Sequence, residues 1–217
     1  MTATASASAI PARDCPLCPR LATFRSVHRT AHPDWFNGPV PSFGDPEAEL
    51  LIVGLAPGLR GANRTGRPFT GDYAGDLLYA TLAKFGFSTG GYAADAEDGL
   101  SLHRVRITNA VRCVPPQNKP DTTEIAACRP FLAAEIAGLP RLKTVLALGA
   151  IAHQSVLAAF GLRRAAYTFR HGALHELPNG LVLADSYHCS RLNTNTGTLT
   201  PEMFEAVFGA LANRLGT

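Results

Sequence analysis

Four short apolar runs, each bounded by glycine, proline or charge and each followed by a stretch of helical spacing, constrain this 217-residue chain most. The first is Glu49-Leu50-Leu51-Ile52-Val53-Gly54-Leu55. The second, Val105 to Val111, alternates apolar and polar residues, and the others are Lys143 to Gly149 and Leu181 to Ser186. Helices are predicted over Asp76 to Phe85, from a capping-box pattern at Asp121 to about Ala137, over Ala150 to Phe160, and from Thr200-Pro201 to Leu215. Continuous apolar strands buried on both faces, alternating with helices, call for a parallel sheet covered on both sides. Ligands of such sheets bind at the carboxyl ends of the strands. The informative loops are therefore 56–72, 112–120 and 187–197.

Composition excludes several classes. Hydrophobic residues make up 46% and charged residues 17%, which suits a folded domain. No run approaches the roughly 18 apolar residues of a membrane span. The Ala/Ser/Thr-rich start lacks the basic and apolar regions of a secretory signal. It reads as a tail over residues 1–12, followed by one domain over 13–217, with a cytoplasmic location. The net charge is only +3, but seventeen of the twenty basic residues are arginine. Arginine forks suit phosphates, although a general Arg/Ala bias produces the same count.

The five cysteines divide into four and one. Cys15-Pro16-Leu17-Cys18 is a chelating pair on a turn; Cys113 ends the second strand and Cys128 lies in the following helix. Two thiolates from a turn and two from elsewhere can close a tetrahedral site for a [4Fe–4S] cluster or for zinc. Four unrelated buried thiols are the bland option. The second pair lacks a zinc knuckle and a proline follows Cys18, which favours the cluster. Cys189 stands apart.

The loop after the first strand reads Gly61-Ala62-Asn63-Arg64-Thr65-Gly66-Arg67-Pro68-Phe69-Thr70-Gly71-Asp72. Its glycines are spaced as in a phosphate-binding loop, but Arg67-Pro68 replaces the required Lys-Ser/Thr, so no triphosphate cradle is encoded. It offers instead three arginines (Arg60, Arg64, Arg67), one aromatic and one carboxylate, which is either a nucleic-acid contact or a solvated surface loop. Asn109, at the exit of the second strand, can read a pyrimidine edge or satisfy a strand-end turn. His188, in Tyr187-His188-Cys189-Ser190-Arg191-Leu192-Asn193, can donate to a developing anion or serve structure alone. The other six histidines have no interpretable spacing.

Together these segments resemble the uracil-DNA glycosylase superfamily, most closely the type B (family 5) enzymes of its iron–sulfur branch. The matching segments are Cys15 to Cys18, Gly54 to Asp72, Ile107 to Cys113, Cys128 and His188 to Thr200, in family order over nearly the whole chain. The resemblance implies a three-layer α/β/α sandwich with a central four-stranded parallel sheet. It also implies hydrolysis of the bond between uracil and deoxyribose, in double- or single-stranded DNA, by a monomer. Cys15, Cys18, Cys113 and Cys128 would hold a [4Fe–4S] cluster. By position, Phe69 would stack on the extruded base beside Ala56, and Asn109 would bond its edge. His188 would stabilise the departing anion, and Arg60, Arg64, Arg67, Arg191 and Leu192 would meet the DNA.

Two departures qualify the match. Family 4 enzymes carry an acid where this chain has Leu55, so that position supplies no catalytic side chain; the resemblance to type B enzymes implies the Asp that closes the motif instead, here Asp72. Cys189 and Arg191 replace two prolines of the common His-Pro-Ser-Pro-Leu-Asn pattern, and this frees the loop backbone. With no lysine nucleophile near these motifs, the implied enzyme is monofunctional and leaves an abasic site. As a group, type B enzymes also accept some deaminated purines such as hypoxanthine. The alternatives are a family 4-like, uracil-only enzyme and a non-catalytic iron–sulfur DNA-binding protein.

Overall fold

The computed structural model describes residues 9–216. The four expected strands form at β2 (Leu50–Gly54), β5 (Val105–Asn109), β6 (Thr144–Leu148) and β8 (Val182–Ser186). They pair in parallel in the order β5-β2-β6-β8, with Leu50 opposite both Val105 and Thr144, and Thr144 opposite Val182. Two short antiparallel edges, β1 (Phe43–Gly44) on β5 and β7 (Leu174–Glu176) on β8, widen the expected four-stranded sheet to six. A separate hairpin joins β3 (Ser88–Thr89) to β4 (Ser101–Leu102), and the short helix α2 (Ala62–Thr65) lies in the loop after β2.

Alternation along the strands sets the layers. Leu50, Ile52, Ile107 and Leu146 point to one face, where they pack against α3 (Tyr73–Lys84) and α7 (Pro201–Leu215) through Leu78, Leu82, Phe204 and Phe208. Leu51, Val53, Val145 and Leu183 point to the other, against α4 (Thr122–Ala137) and α5 (Ala150–Ala159). This is the expected α/β/α sandwich. Its helix starts follow the sequence signals: Glu124 Oε2 accepts from the Asp121 amide at 2.7 Å, and Thr200 Oγ1 accepts from the Met203 amide at 3.2 Å.

A third cluster, of Leu21, Val111 and Cys128, joins α1 (Pro19–Ala31) to the sheet. Residues 1–8 of the expected tail lie outside the described residues. Pro11 is buried, and the Ala9 carbonyl accepts from Arg112 Nη2 at 3.5 Å, so packing begins before residue 13. Among the described residues, no helix is long and apolar enough to cross a membrane.

Candidate active site

The strand order turns back between β2 and β6, and a cleft of about 630 Å³ opens at the carboxyl ends of the strands. Its wall includes Leu55, Ala56, Pro57 and Arg60 after β2, Phe69 and Asp72 from the glycine-rich loop, Asn109 ending β5, and His188, Ser190 and Arg191 after β8. Ala56, Phe69, Asp72, Asn109, His188, Arg60 and Arg191 therefore share one cavity, although they are scattered over more than half the chain.

Two glycines let these groups approach. A Cβ on Gly54 would lie 2.5 Å from Asn109 Oδ1 and 2.5 Å from the Phe69 ring, and one on Gly61 would lie 2.6 Å from Asp72 Oδ2. Phe69 and Asn109 thus meet over the hydrogen atoms of Gly54. Gly54→Ala is expected to displace both groups and slow any reaction in the cleft by about 100-fold, the cost of misplacement near 1 Å. Single-turnover rates alongside a thermal melt check this, because a purely structural defect would move only the melt.

Asp72 caps α3, its Oδ1 accepting from the Gly75 amide at 3.2 Å. Burial raises its carboxyl pKa, and the negative charge of Asp76 adds to the effect. Burial also lowers His188 to a pKa of about 4, so its imidazole is neutral at pH 7 and keeps one N–H to donate. The His188 and Phe69 rings lie 5.9 Å apart at 29°. Phe69 itself has a φ of 53°, the left-handed region, which costs a bulky residue about 1–3 kcal/mol and persists only where the surroundings fix it.

The segment after His188 is better ordered than the loss of two prolines suggests. Ser190 caps α6 (Arg191–Asn195), Asn193 Nδ2 donates to the His188 carbonyl at 2.8 Å, and the fully buried Cys189 donates to the Ala74 carbonyl. Arg191 lies over the Tyr73 ring at 5.4 Å, and Leu192, 72% exposed, projects beside it. Arg60 is exposed at the rim, and Arg64, half-buried, donates to the Arg60 carbonyl.

Arg67 corrects the sequence reading. It is only 4% exposed and forms a two-pronged pair with Asp98, with both N–O distances 2.7 Å, inside a cage of Phe43, Tyr79 and Tyr92. A guanidinium with both prongs occupied and no exposed face does not meet DNA phosphate. The sequence reading also missed Asn118, an exposed carboxamide with φ 57° that lines the cleft from the loop after β5. The signal for it was the Pro115-Pro116-Gln117-Asn118 turn inside a loop already singled out by topology.

Behind the cleft, Cys15, Cys18, Cys113 and Cys128 line one narrow apolar cavity with Pro11, Leu21 and Phe131. The donor set suits a metal group held by thiolates. Arg25 Nη1 points at Cys113 Sγ at 3.6 Å, and the Arg112 amide at Cys128 Sγ at 3.4 Å, so two sulfurs already face N–H donors. As free thiols they are held protonated by burial, Cys18 at about 11 and Cys113 at about 12. No three of these sulfurs lie within 4.8 Å of one another. A single zinc ion with bonds near 2.3 Å would require separations of about 3.8 Å.

The described residues hold one tighter cluster, His153, His175 and Asp185. Asp185 is fully buried, with His153 Nδ1 at 2.7 Å from one oxygen and His175 Nε2 at 3.0 Å from the other. His153 Nε2 faces the Tyr167 carbonyl at 2.9 Å. Burial, the largest single influence, opposes the proton on His153, but the bond to Asp185, the charge of that carboxylate and the Tyr167 carbonyl together outweigh it and raise the pKa. These contacts join α5, β7 and β8 as a hydrogen-bonded brace and account for two of the unassigned histidines.

The chain is a member of the uracil DNA glycosylase superfamily, whose family model matches residues 41–212. Within it, the chain is similar to the type-5 uracil-DNA glycosylase of Thermus thermophilus, 50% identical over 196 residues, covering 88% of this chain and 89% of that one. It is 43% identical over 202 residues to the type-5 enzyme of Mycobacterium tuberculosis, covering 89% and 75% of the two chains. The type-5 enzyme of Pyrobaculum aerophilum is 39% identical over 207 residues, covering 94% and 90%.

Proposed function

We propose that the protein is a monofunctional DNA glycosylase that hydrolyses the N-glycosidic bond of uracil in DNA and leaves an abasic site. The observation that carries this reading is the convergence of Phe69, Asp72, Asn109 and His188 in one cleft at the strand ends. The type-5 names of its relatives support it.

The chemistry follows from the groups present. A base within a duplex hides its glycosidic carbon, so it must be extruded at a cost of about a few kcal/mol; single-stranded DNA lowers that cost. Arg60, Arg64 and Arg191 hold the flanking phosphates, with Leu192 entering the gap that the base leaves. Phe69 stacks on the flipped base and the Asn109 carboxamide bonds its edge. As the bond breaks, positive charge grows on the sugar and negative charge on the base. The Asp72 carboxylate stabilises the first and orients a water molecule. The neutral His188 donates its N–H to the second, together with backbone amides near Ala56. Among the described residues no lysine lines the cleft, so no covalent imine forms with the sugar and the strand stays uncut.

The four cysteines hold a [4Fe–4S] cluster. With every ligand supplied by protein, it contributes structure rather than an open coordination site. Leu55 at the cleft wall supplies no acid, which argues against a family 4-like enzyme, and the intact Asp72, Asn109 and His188 set argues against a purely binding protein.

The test is incubation with a duplex carrying one uracil, followed by alkali cleavage. Alkali-labile strands are expected, with none cut before alkali; no labile site sinks the proposal. A hypoxanthine-containing duplex in the same assay decides whether the cleft also accepts deaminated purines.

A further inference from the structure

The 85–102 excursion between α3 and β5 adds no strand to the main sheet; its only strands, β3 and β4, pair with each other. It nevertheless reaches the loop that carries Phe69 and Asp72. Tyr92 brings its hydroxyl 3.1 Å from the Gly71 amide, which donates to it, and 3.4 Å from the Phe69 carbonyl, to which it can donate. Asp98 holds Arg67 through both prongs, and its oxygens also accept from the Ala93 and Leu100 amides, at 2.9 and 3.0 Å. Arg67 Nε in turn donates to Thr70 Oγ1 at 2.7 Å. The excursion therefore grips the turn at Arg67, Phe69 and Gly71, directly before Asp72.

We infer that Tyr92 and Asp98 are positioning residues for excision, fixing the 67–71 turn so that Phe69 and Asp72 stand correctly in the cleft. The inference rests on the proposed glycosylase reading. Two features separate this role from ordinary core packing. Phe69 and Gly71 both have positive φ, 53° and 86°, so the turn needs outside restraint to keep its shape. The Tyr92 ring is already packed by stacking on Tyr79, with centroids 4.6 Å apart, whereas its hydroxyl serves only backbone groups of the turn. Removing that hydroxyl loosens the turn at Phe69 and Gly71, leaving the Arg67–Asp98 pair and the stacked ring in place.

Tyr92→Phe in the full chain tests this. Single-turnover uracil release under saturating enzyme is expected to slow about tenfold or more, as misplacement of reacting groups predicts. Affinity for a duplex carrying non-hydrolysable 2′-fluoro-deoxyuridine should change by less than about twofold, since the phosphate contacts that dominate DNA affinity are untouched. Amide hydrogen exchange should quicken at Gly71, reporting release of the turn without reference to activity. Asp98→Asn should show the same pattern more strongly; because it breaks a buried ion pair, Tyr92→Phe decides if that variant does not fold. A Tyr92→Phe protein that excises at the wild-type rate overturns the inference. Wild-type activity in the same assay carries the glycosylase reading separately, so the two can fail independently.

Discussion

Replacing Asp72 by asparagine is expected to slow uracil release by about two to four orders of magnitude while leaving the fold intact, the range associated with a positioned charge or base. The substitution is narrow. Asparagine is as good a helix cap as aspartate, so the bond from the Gly75 amide to Oδ1 survives and α3 keeps its start. What disappears is one negative charge, in a half-buried position on the cleft wall where charge acts on an oxocarbenium-like sugar more strongly than in open water.

The pH dependence adds a second signature. Burial raises the Asp72 carboxyl, with Asp76 adding to it, so the wild-type rate should fall as pH drops through a range above that of an ordinary aspartate. His188 stays neutral until about pH 4 and contributes nothing to that limb above it. Asp72→Asn should lack the limb. Stability should move the other way. A carboxyl raised in the folded state binds its proton more tightly there than in the unfolded chain, so its contribution is lost as pH rises through the folded pKa. At pH 7 the ionised Asp72 costs stability, and the variant should melt no lower than wild type. A variant that is fully active would reduce Asp72 to a helix cap.

The features legible in the sequence were those with local signals. Three strands of the parallel core read as continuous apolar runs and β5 as an alternating one, and the strand-end rule directs attention to Asp72, Asn109 and His188. Helix α1 escaped because only Leu21 and Arg25 of its residues are buried, too few to mark an apolar stripe. Strands β1 and β7 span two and three residues, below the length at which alternation is visible. Arg67 was misread for a different reason. Beside Arg60 and Arg64 it looks like a third phosphate contact, and its partner Asp98 lies 31 residues away in a stretch with no motif. Whether an arginine faces solvent or a buried carboxylate is a tertiary fact. The roles of Tyr92 and Asn118 depend in the same way on contacts made across the fold.

Cys113→Ser should have the largest effect on the folded state. Serine keeps the size of the side chain but replaces a soft thiolate donor with a hydroxyl, so a cluster bound by four thiolates loses a ligand. The wild-type protein is expected to be brown, with iron and sulfide in equal amounts, and the variant colourless. The loss extends beyond colour because of what the cysteines join. Cys15 and Cys18 precede α1, Cys113 follows β5 and Cys128 lies in α4, and the apolar cluster shared by these segments is small. Without the cluster, α1 relies on a few side chains and on Arg25, whose guanidinium bonds the Cys15 carbonyl and faces Cys113 Sγ. A loss of about 4 kcal/mol or more is expected, the range reserved for removal of a metal or a comparable core defect. For a chain of this length that is about 8–16 °C in the thermal midpoint. Cys189→Ser provides the control, because Cys189 is buried on the other face of the sheet and should leave colour and metal content unchanged. A colourless wild-type protein with one zinc per chain would overturn the cluster assignment, and the sulfurs would then have to draw together to zinc–thiolate spacing, closer than they now stand.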